Sequence, residues 1–126
     1  MASLVVIEGP GQGADFPLTE ALVSFGRDDT CTHQILDALV SRKHLQVRRD
    51  ENLGKHVAGD YRSANGVFVN GKQVVLDVAL SDGDRIKIGN TTLMYLAADH
   101  ADGPAAVAAA AKKKGEWQRT TMMGGE

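Results

Sequence analysis

Ser63-Ala64-Asn65-Gly66-Val67-Phe68-Val69-Asn70-Gly71 decides what kind of fold this sequence can adopt. A three-residue run of β-branched and aromatic side chains lies between two Asn-Gly dipeptides. Asn and Gly both tolerate positive φ, which makes Asn-Gly the strongest short-range signal for a hairpin turn. The stretch predicts a short strand with a tight turn at either end.

The same punctuation continues in both directions. Downstream, Gln73-Val74-Val75-Leu76 and Val78-Ala79-Leu80 read as short strands. Ser81-Asp82-Gly83-Asp84 is a turn, Arg85-Ile86-Lys87-Ile88 alternates cleanly, and Gly89-Asn90 turns the chain into Thr91-Thr92-Leu93-Met94-Tyr95-Leu96. Upstream, Lys55 to Asp60 is a weak strand behind the turn Asp50 to Gly54. Leu45-Gln46-Val47-Arg48 alternates as a half-buried strand should. Gln34-Ile35-Leu36, Ala21 to Phe25 and the buried run Leu4 to Ile7 are further strands. The glycines of Gly9-Pro10-Gly11-Gln12-Gly13 are spaced G-x-G-x-G, not as a dinucleotide loop, and Pro17 argues against the helix such a loop needs. A plain turn is the better reading. About eleven short strands separated by turns give an all-β, antiparallel β-sandwich or barrel. Before residue 97 no stretch has a helical period. Residues 1–97 therefore form the folded domain. Residues 98–126 form an Ala/Lys-rich tail read as flexible, in which the alanine run Ala105 to Ala111 is at most a frayed helix.

Composition narrows the function classes. A chain of 126 residues with 43% hydrophobic and 24% charged residues can bury one ordinary core. A net charge of -2 gives no global pull toward nucleic acid or membrane, so recognition must come from a local patch. With one cysteine, Cys31, the chain can form neither an internal disulfide nor a cysteine metal cluster, and a cytoplasmic setting is expected. The four histidines are too scattered for zinc, and Asp82-Gly83-Asp84 is too short for a calcium loop. No cofactor or metal is expected. No activated nucleophile or acid–base pair suggests an enzyme.

Three loops hold the polar residues that strands and turns leave unexplained: Gly26-Arg27, Ser41-Arg42-Lys43-His44 and Ser63-Ala64-Asn65-Gly66. A sandwich collects alternate loops at one end. If these three share an end, Arg27, Ser41, Arg42 and Asn65 surround one spot, with Lys43 and Arg62 nearby. Such a set of donors and positive charge suits an oxyanion: Arg meets phosphate bidentately, Ser and Asn add directional neutral donors, and Lys adds a point charge.

Taken in order, these loops with Asp60, Val69-Asn70-Gly71 and Leu80 to Gly89 resemble the motif set of forkhead-associated (FHA) domains, from about Ser3 to Leu96. The resemblance implies an eleven-stranded β-sandwich that binds phosphothreonine peptides without catalysis. By position, Arg27 and Ser41 would bind the phosphate with Arg42 assisting, and Asn65 would hold the peptide backbone. Lys43, Ser63, Ala64 and Gly66 would contact the peptide or support the loop. Gly26, His44, Asn70 and Gly71 would be architectural, His44 as a hydrogen-bonded imidazole between loops. Ala64 stands where many members carry a hydroxyl, and Val67 where threonine is usual.

The expected partners are phosphothreonine proteins and a Ser/Thr kinase, with a monomeric chain and no nucleic acid or membrane. Thr120 and Thr121 are candidate phosphorylation sites through which the tail would compete for the site or link two chains; an unmodified tail is the plainer reading. The alternative function is a phosphorylation-independent regulator or scaffold that docks an enzyme through the sandwich surface.

Overall fold

A computed structural model describes residues 2–97 and 105–114. Eleven strands form two sheets. They are β1 (Ser3–Glu8), β2 (Asp15–Pro17), β3 (Leu22–Gly26), β4 (His33–Gln34), β5 (Leu45–Asp50), β6 (Lys55–Asp60), β7 (Val67–Val69), β8 (Lys72–Gln73), β9 (Val78–Ala79), β10 (Arg85–Ile88) and β11 (Thr91–Leu96). The six-stranded sheet runs β2-β1-β11-β10-β7-β8 and the five-stranded sheet β4-β3-β5-β6-β9. Alternation sets the inner faces: Leu4 and Val6 of β1, Leu45 and Val47 of β5, and Ile86 and Ile88 of β10 meet Phe25, Leu80 and Leu93 in one core.

Four differences from the sequence reading have physical causes. β3 and β4 pair in parallel, Phe25 with His33 and Gly26 with Gln34, so the sandwich is not wholly antiparallel. Asp15–Pro17 is a strand, at the sheet edge, where a residue without an N–H is tolerated. The run Gln73 to Leu76 is not one strand: β8 ends at Gln73, and Val75 and Leu76 stand 89% and 81% exposed. There the chain crosses from the six-stranded sheet to β9 in the other, so no ladder is available to those residues.

The fourth difference is α1, residues 105–114. The sequence reading placed this segment in a flexible tail. Instead Ala106 and Ala110, one turn apart, are buried against Val5, Ile7, Met94 and Leu96 on the outer face of β1 and β11. The cause lies in those strands: both are apolar on two faces, and the outer face needs a cover. Small alanines let the helix approach closely. Its last turn is pinned by Lys113 Nζ to Asp82 Oδ2 at 2.8 Å, and by Lys114 Nζ donating to the Ile7 carbonyl at 2.7 Å, beside the register shift between Val6 and Glu8. Cations also suit a helix C-terminus. Among the described residues no helix is long and apolar enough to cross a membrane.

Candidate phosphopeptide site

The loops after β3, β4 and β6 converge at one end of the sandwich and are joined to one another by hydrogen bonds. Arg27 N–H donates to the Ser41 carbonyl at 3.0 Å and Asp28 N–H to the Arg42 carbonyl at 3.1 Å. This close approach requires Gly26. A Cβ there would overlap the Arg42 carbonyl oxygen and lie 2.9 Å from Cys31 Sγ. Cys31 itself is buried, and its thiol donates to the same Arg42 carbonyl at 3.2 Å. Burial pushes that thiol up, away from the reactive thiolate.

His44 joins the second loop to the third. It is fully buried at the start of β5. Ser41 N–H donates to its Nδ1 at 3.0 Å, which leaves the ring proton on Nε2, and Nε2–H donates to the Gly66 carbonyl at 2.7 Å. Two more contacts close the junction. Ala64 N–H donates to Ser41 Oγ at 3.0 Å, and Asn65 Nδ2 donates to the Leu39 carbonyl at 2.8 Å. The Ser41 hydroxyl thus accepts inward and can donate its own proton outward. The Asn65 side-chain oxygen is likewise left for an outside donor. Ser63 shapes its own loop: it takes a bond from Gly66 N–H at 2.9 Å on Oγ, while its N–H donates to Asp60 at 2.8 Å.

Arg27, Arg42 and Lys43 are exposed around this junction, and Ser41 is half-exposed. The carboxyl of Asp28 is held below its usual range by the Thr30 N–H and hydroxyl, with a smaller contribution from Arg42. It stays ionised beside the cations and limits the net positive charge. The structure therefore brings together Gly26, Arg27, Ser41, Arg42, Lys43, His44, Ser63, Ala64, Asn65 and Gly66. It does not bring Asn70 and Gly71, which form the turn at the other end of β7. There Asn70, at φ 51°, donates to Asp84 and accepts from Arg85 N–H, both at 3.0 Å. Thr120 and Thr121 lie outside the described residues. Among those described, no His/Cys/Asp/Glu group could hold a metal ion.

Asp37 was missed by the sequence reading. It is buried and takes bonds from Leu39 N–H at 3.0 Å, Asn90 N–H at 2.8 Å and the Thr91 hydroxyl at 2.8 Å. Burial alone would raise its carboxyl, but these bonds hold it below its ordinary value. Asp37 ties the Leu39–Ser41 segment to the β10–β11 turn, where Gly89 packs against Leu39 and Val40. The only local sign was an Asp able to cap its own turn; its main partners lie more than fifty residues away.

Residues 23–89 match the family model described as FHA domain. The glycogen accumulation regulator GarA of Mycobacterium tuberculosis is 37% identical over 95 residues, covering 75% of this chain and 57% of GarA. The oxoglutarate dehydrogenase inhibitor of Corynebacterium efficiens is 38% identical over 105 residues, 83% of this chain and 68% of the inhibitor. The chain thus spans less than two thirds of GarA. A solved FHA domain, studied for phosphothreonine-dependent interactions, superposes with a TM-score of 0.69 at 28% identity over 79% of this chain and 98% of its own. With the family model covering more than half of its length, and the same sandwich in its structural neighbour, the chain belongs to the FHA domain family.

Proposed function

We propose that this protein is a phosphothreonine-peptide-binding module, without catalysis, that acts in the cytoplasm downstream of Ser/Thr protein kinases. The observation that carries the reading is the junction of Arg27, Ser41 and Asn65 from three separate loops, locked by His44 and by Ala64 N–H. In this reading Arg27 meets the phosphate bidentately, the Ser41 hydroxyl donates to it and Arg42 adds charge. Lys43 contributes long-range attraction. Asn65 aligns the peptide backbone with its free side-chain oxygen. Ala64 supplies no hydroxyl, and its N–H is spent on Ser41, so the phosphate has one neutral donor fewer on that side. The phosphothreonine dependence reported for the solved neighbour supports the ligand class.

A second reading rests on the relatives. Their names, glycogen accumulation regulator and oxoglutarate dehydrogenase inhibitor, describe control of metabolism. The sandwich surface would then dock an enzyme without phosphate. Titration with a phosphothreonine peptide and its unphosphorylated twin separates the two. Under the first reading only the phosphopeptide binds, and Arg27→Ala or Ser41→Ala loses at least about tenfold, the ~1.5–3 kcal/mol of a charged hydrogen bond. Equal affinity for both peptides overturns it. Partner binding that survives phosphatase treatment and Ser41→Ala supports the second.

A further inference from the structure

β5 and β6 extend between the loop junction and the opposite end of the sandwich, and their inner faces change character on the way. Leu45 and Val47 of β5 and Ala58 of β6 are in the core. At the far end the same faces present Arg49 and His56, which are direct partners in the ladder. Tyr95 of β11 meets them from the other sheet. Its hydroxyl lies 2.8 Å from His56 Nδ1, and the two rings stand edge to face. A cleft of about 280 Å³ opens there, lined by Arg49, Lys55, His56 and Tyr95 with Ala2 and Leu18 as apolar wall. No acid is among its described lining residues, in a chain whose net charge is -2. Arg49 and Lys55 are exposed and have no ion-pair partner among the described residues. The acids nearby are engaged elsewhere: Asp50 is 3.6 Å from Arg48, and Asp82 binds Lys113 and the Ala97 N–H.

We propose that this cleft is a second ligand site, which takes the phosphate or carboxylate group of a small metabolite. It lies at the other end of the sandwich from the loop junction and does not rest on the phosphothreonine reading. The Arg49 fork can meet two oxygens of such a group, and the Lys55 ammonium adds a point charge. Burial keeps the proton on the Tyr95 phenol. With that phenol donating to Nδ1, the His56 ring proton sits on Nε2, which becomes the third donor. The cleft is just below the ~300–1,000 Å³ of small-molecule pockets, so it suits a small ligand rather than a polypeptide. Burial, and after it the Arg49 guanidinium, hold the His56 imidazole below its ordinary value, so it is neutral at pH 7. A bound anion offsets Arg49 and favours the imidazolium. Of the elements around the ring, β5 presents Arg49, β6 presents Lys55 and β11 presents Tyr95, on which Asp82 acts in turn. Ala2, Leu18 and Leu80, whose N–H donates to the His56 carbonyl, bring no charge.

The experiment titrates inorganic sulfate, inorganic phosphate and succinate separately into the full chain, with chloride at matched ionic strength as control, and follows amide and histidine ring resonances. The oxyanions should shift the His56 ring and the amides of residues 54–57 and 95–97 saturably, and chloride should not. Sulfate keeps its charge across about pH 5–8, so its pH dependence reports the protein. It should bind at least about threefold more tightly near pH 5.5 than near pH 8, and the His56 titration should move upward in its presence. Arg49→Gln changes an exposed side chain and should weaken sulfate at least about fivefold, with amide resonances elsewhere in place. The tighter of phosphate and succinate identifies which head group the cleft is built for. Shifts confined to residues 41–44 and 64–65 would put the anion at the loop junction and overturn the proposal. So would unchanged affinity in Arg49→Gln, affinity independent of pH, or a chloride response as large as that to the oxyanions.

Discussion

Replacing His44 by leucine measures what one imidazole contributes to holding two loops together. The side chain is fully buried, accepts from Ser41 N–H at 3.0 Å and donates to the Gly66 carbonyl at 2.7 Å. Leucine keeps most of the apolar bulk but leaves a donor and an acceptor unpaired. Each buried unpaired group costs about 1–3 kcal/mol, so the pair sets a range of about 2–6 kcal/mol. Ser41 is half-exposed and its N–H can recover water, whereas Gly66 is buried. The expected loss is therefore in the lower part, about 2–4 kcal/mol. In a domain of this size each kcal/mol moves Tm by about 3–5 °C, so the variant should melt about 6–20 °C lower. Urea unfolding followed by far-ultraviolet circular dichroism should show a lower midpoint with an unchanged slope. A loss below about 0.5 kcal/mol, within the range of ordinary surface substitutions, would refute the bracing role.

Gly26→Ala places a Cβ against the Arg42 carbonyl, which cannot swing aside as a side chain would. It should cost about 1–3 kcal/mol and shift the amide resonances of Ser41 to Lys43; unmoved resonances would contradict the close approach. Asp37→Asn should cost about 1–3 kcal/mol near pH 7 by weakening the bonds to Leu39, Asn90 and Thr91. Because the folded carboxyl is depressed, its contribution is present above the unfolded pKa of about 3.9 and disappears as pH falls through the lower folded value. The gap between wild type and variant in urea midpoint should therefore shrink toward about pH 3, and a constant gap would contradict it. Ala110→Glu puts a carboxylate into a fully buried position on β1 and β11. Burying it unpaired would cost several kcal/mol, so α1 should leave the sheet instead, with faster tryptic cleavage at Lys112 to Lys114 and increased binding of a hydrophobic dye. Unchanged cleavage would mean that this face does not hold the helix.

The strands were legible wherever a local pattern carried them. Arg85–Ile88 alternates and Val67–Val69 lies between Asn-Gly turns, and both form as read, while the alternating run Leu45 to Arg48 forms inside a strand that extends to Asp50, which was read as a turn. Local pattern could not say where a turn sits in space. Asn65-Gly66 and Asn70-Gly71 are the same dipeptide at opposite ends of β7. One shares the loop junction, and the other is fastened to Asp84 and Arg85. Val75 and Leu76 show the opposite failure, since an apolar run reads as a strand until the sheets are placed. Asp37 was invisible because its partners arrive from a distant turn. The docked helix had a trace in the sequence after all. Val5, Ile7, Met94 and Leu96 are too apolar for an outer face left in water, and the alanine run was the segment available to cover them.

The loop junction divides into a fixed part and a movable part, and that division bears on how it binds. Ser41, Ala64 and Asn65 are held by hydrogen bonds among themselves and to Leu39, and His44 holds Ser41 to Gly66 from beneath. These groups lose little freedom when a ligand arrives. Arg27, Arg42 and Lys43 are exposed, and ordering each long side chain costs about 0.5–1.5 kcal/mol. The fixed donors can therefore set where a phosphate sits, while the cations set how strongly and how fast it is captured. Added salt should then slow association and weaken binding without changing which peptide is preferred. A change of preference with ionic strength would place the selectivity in the cations, against the division the hydrogen bonds describe.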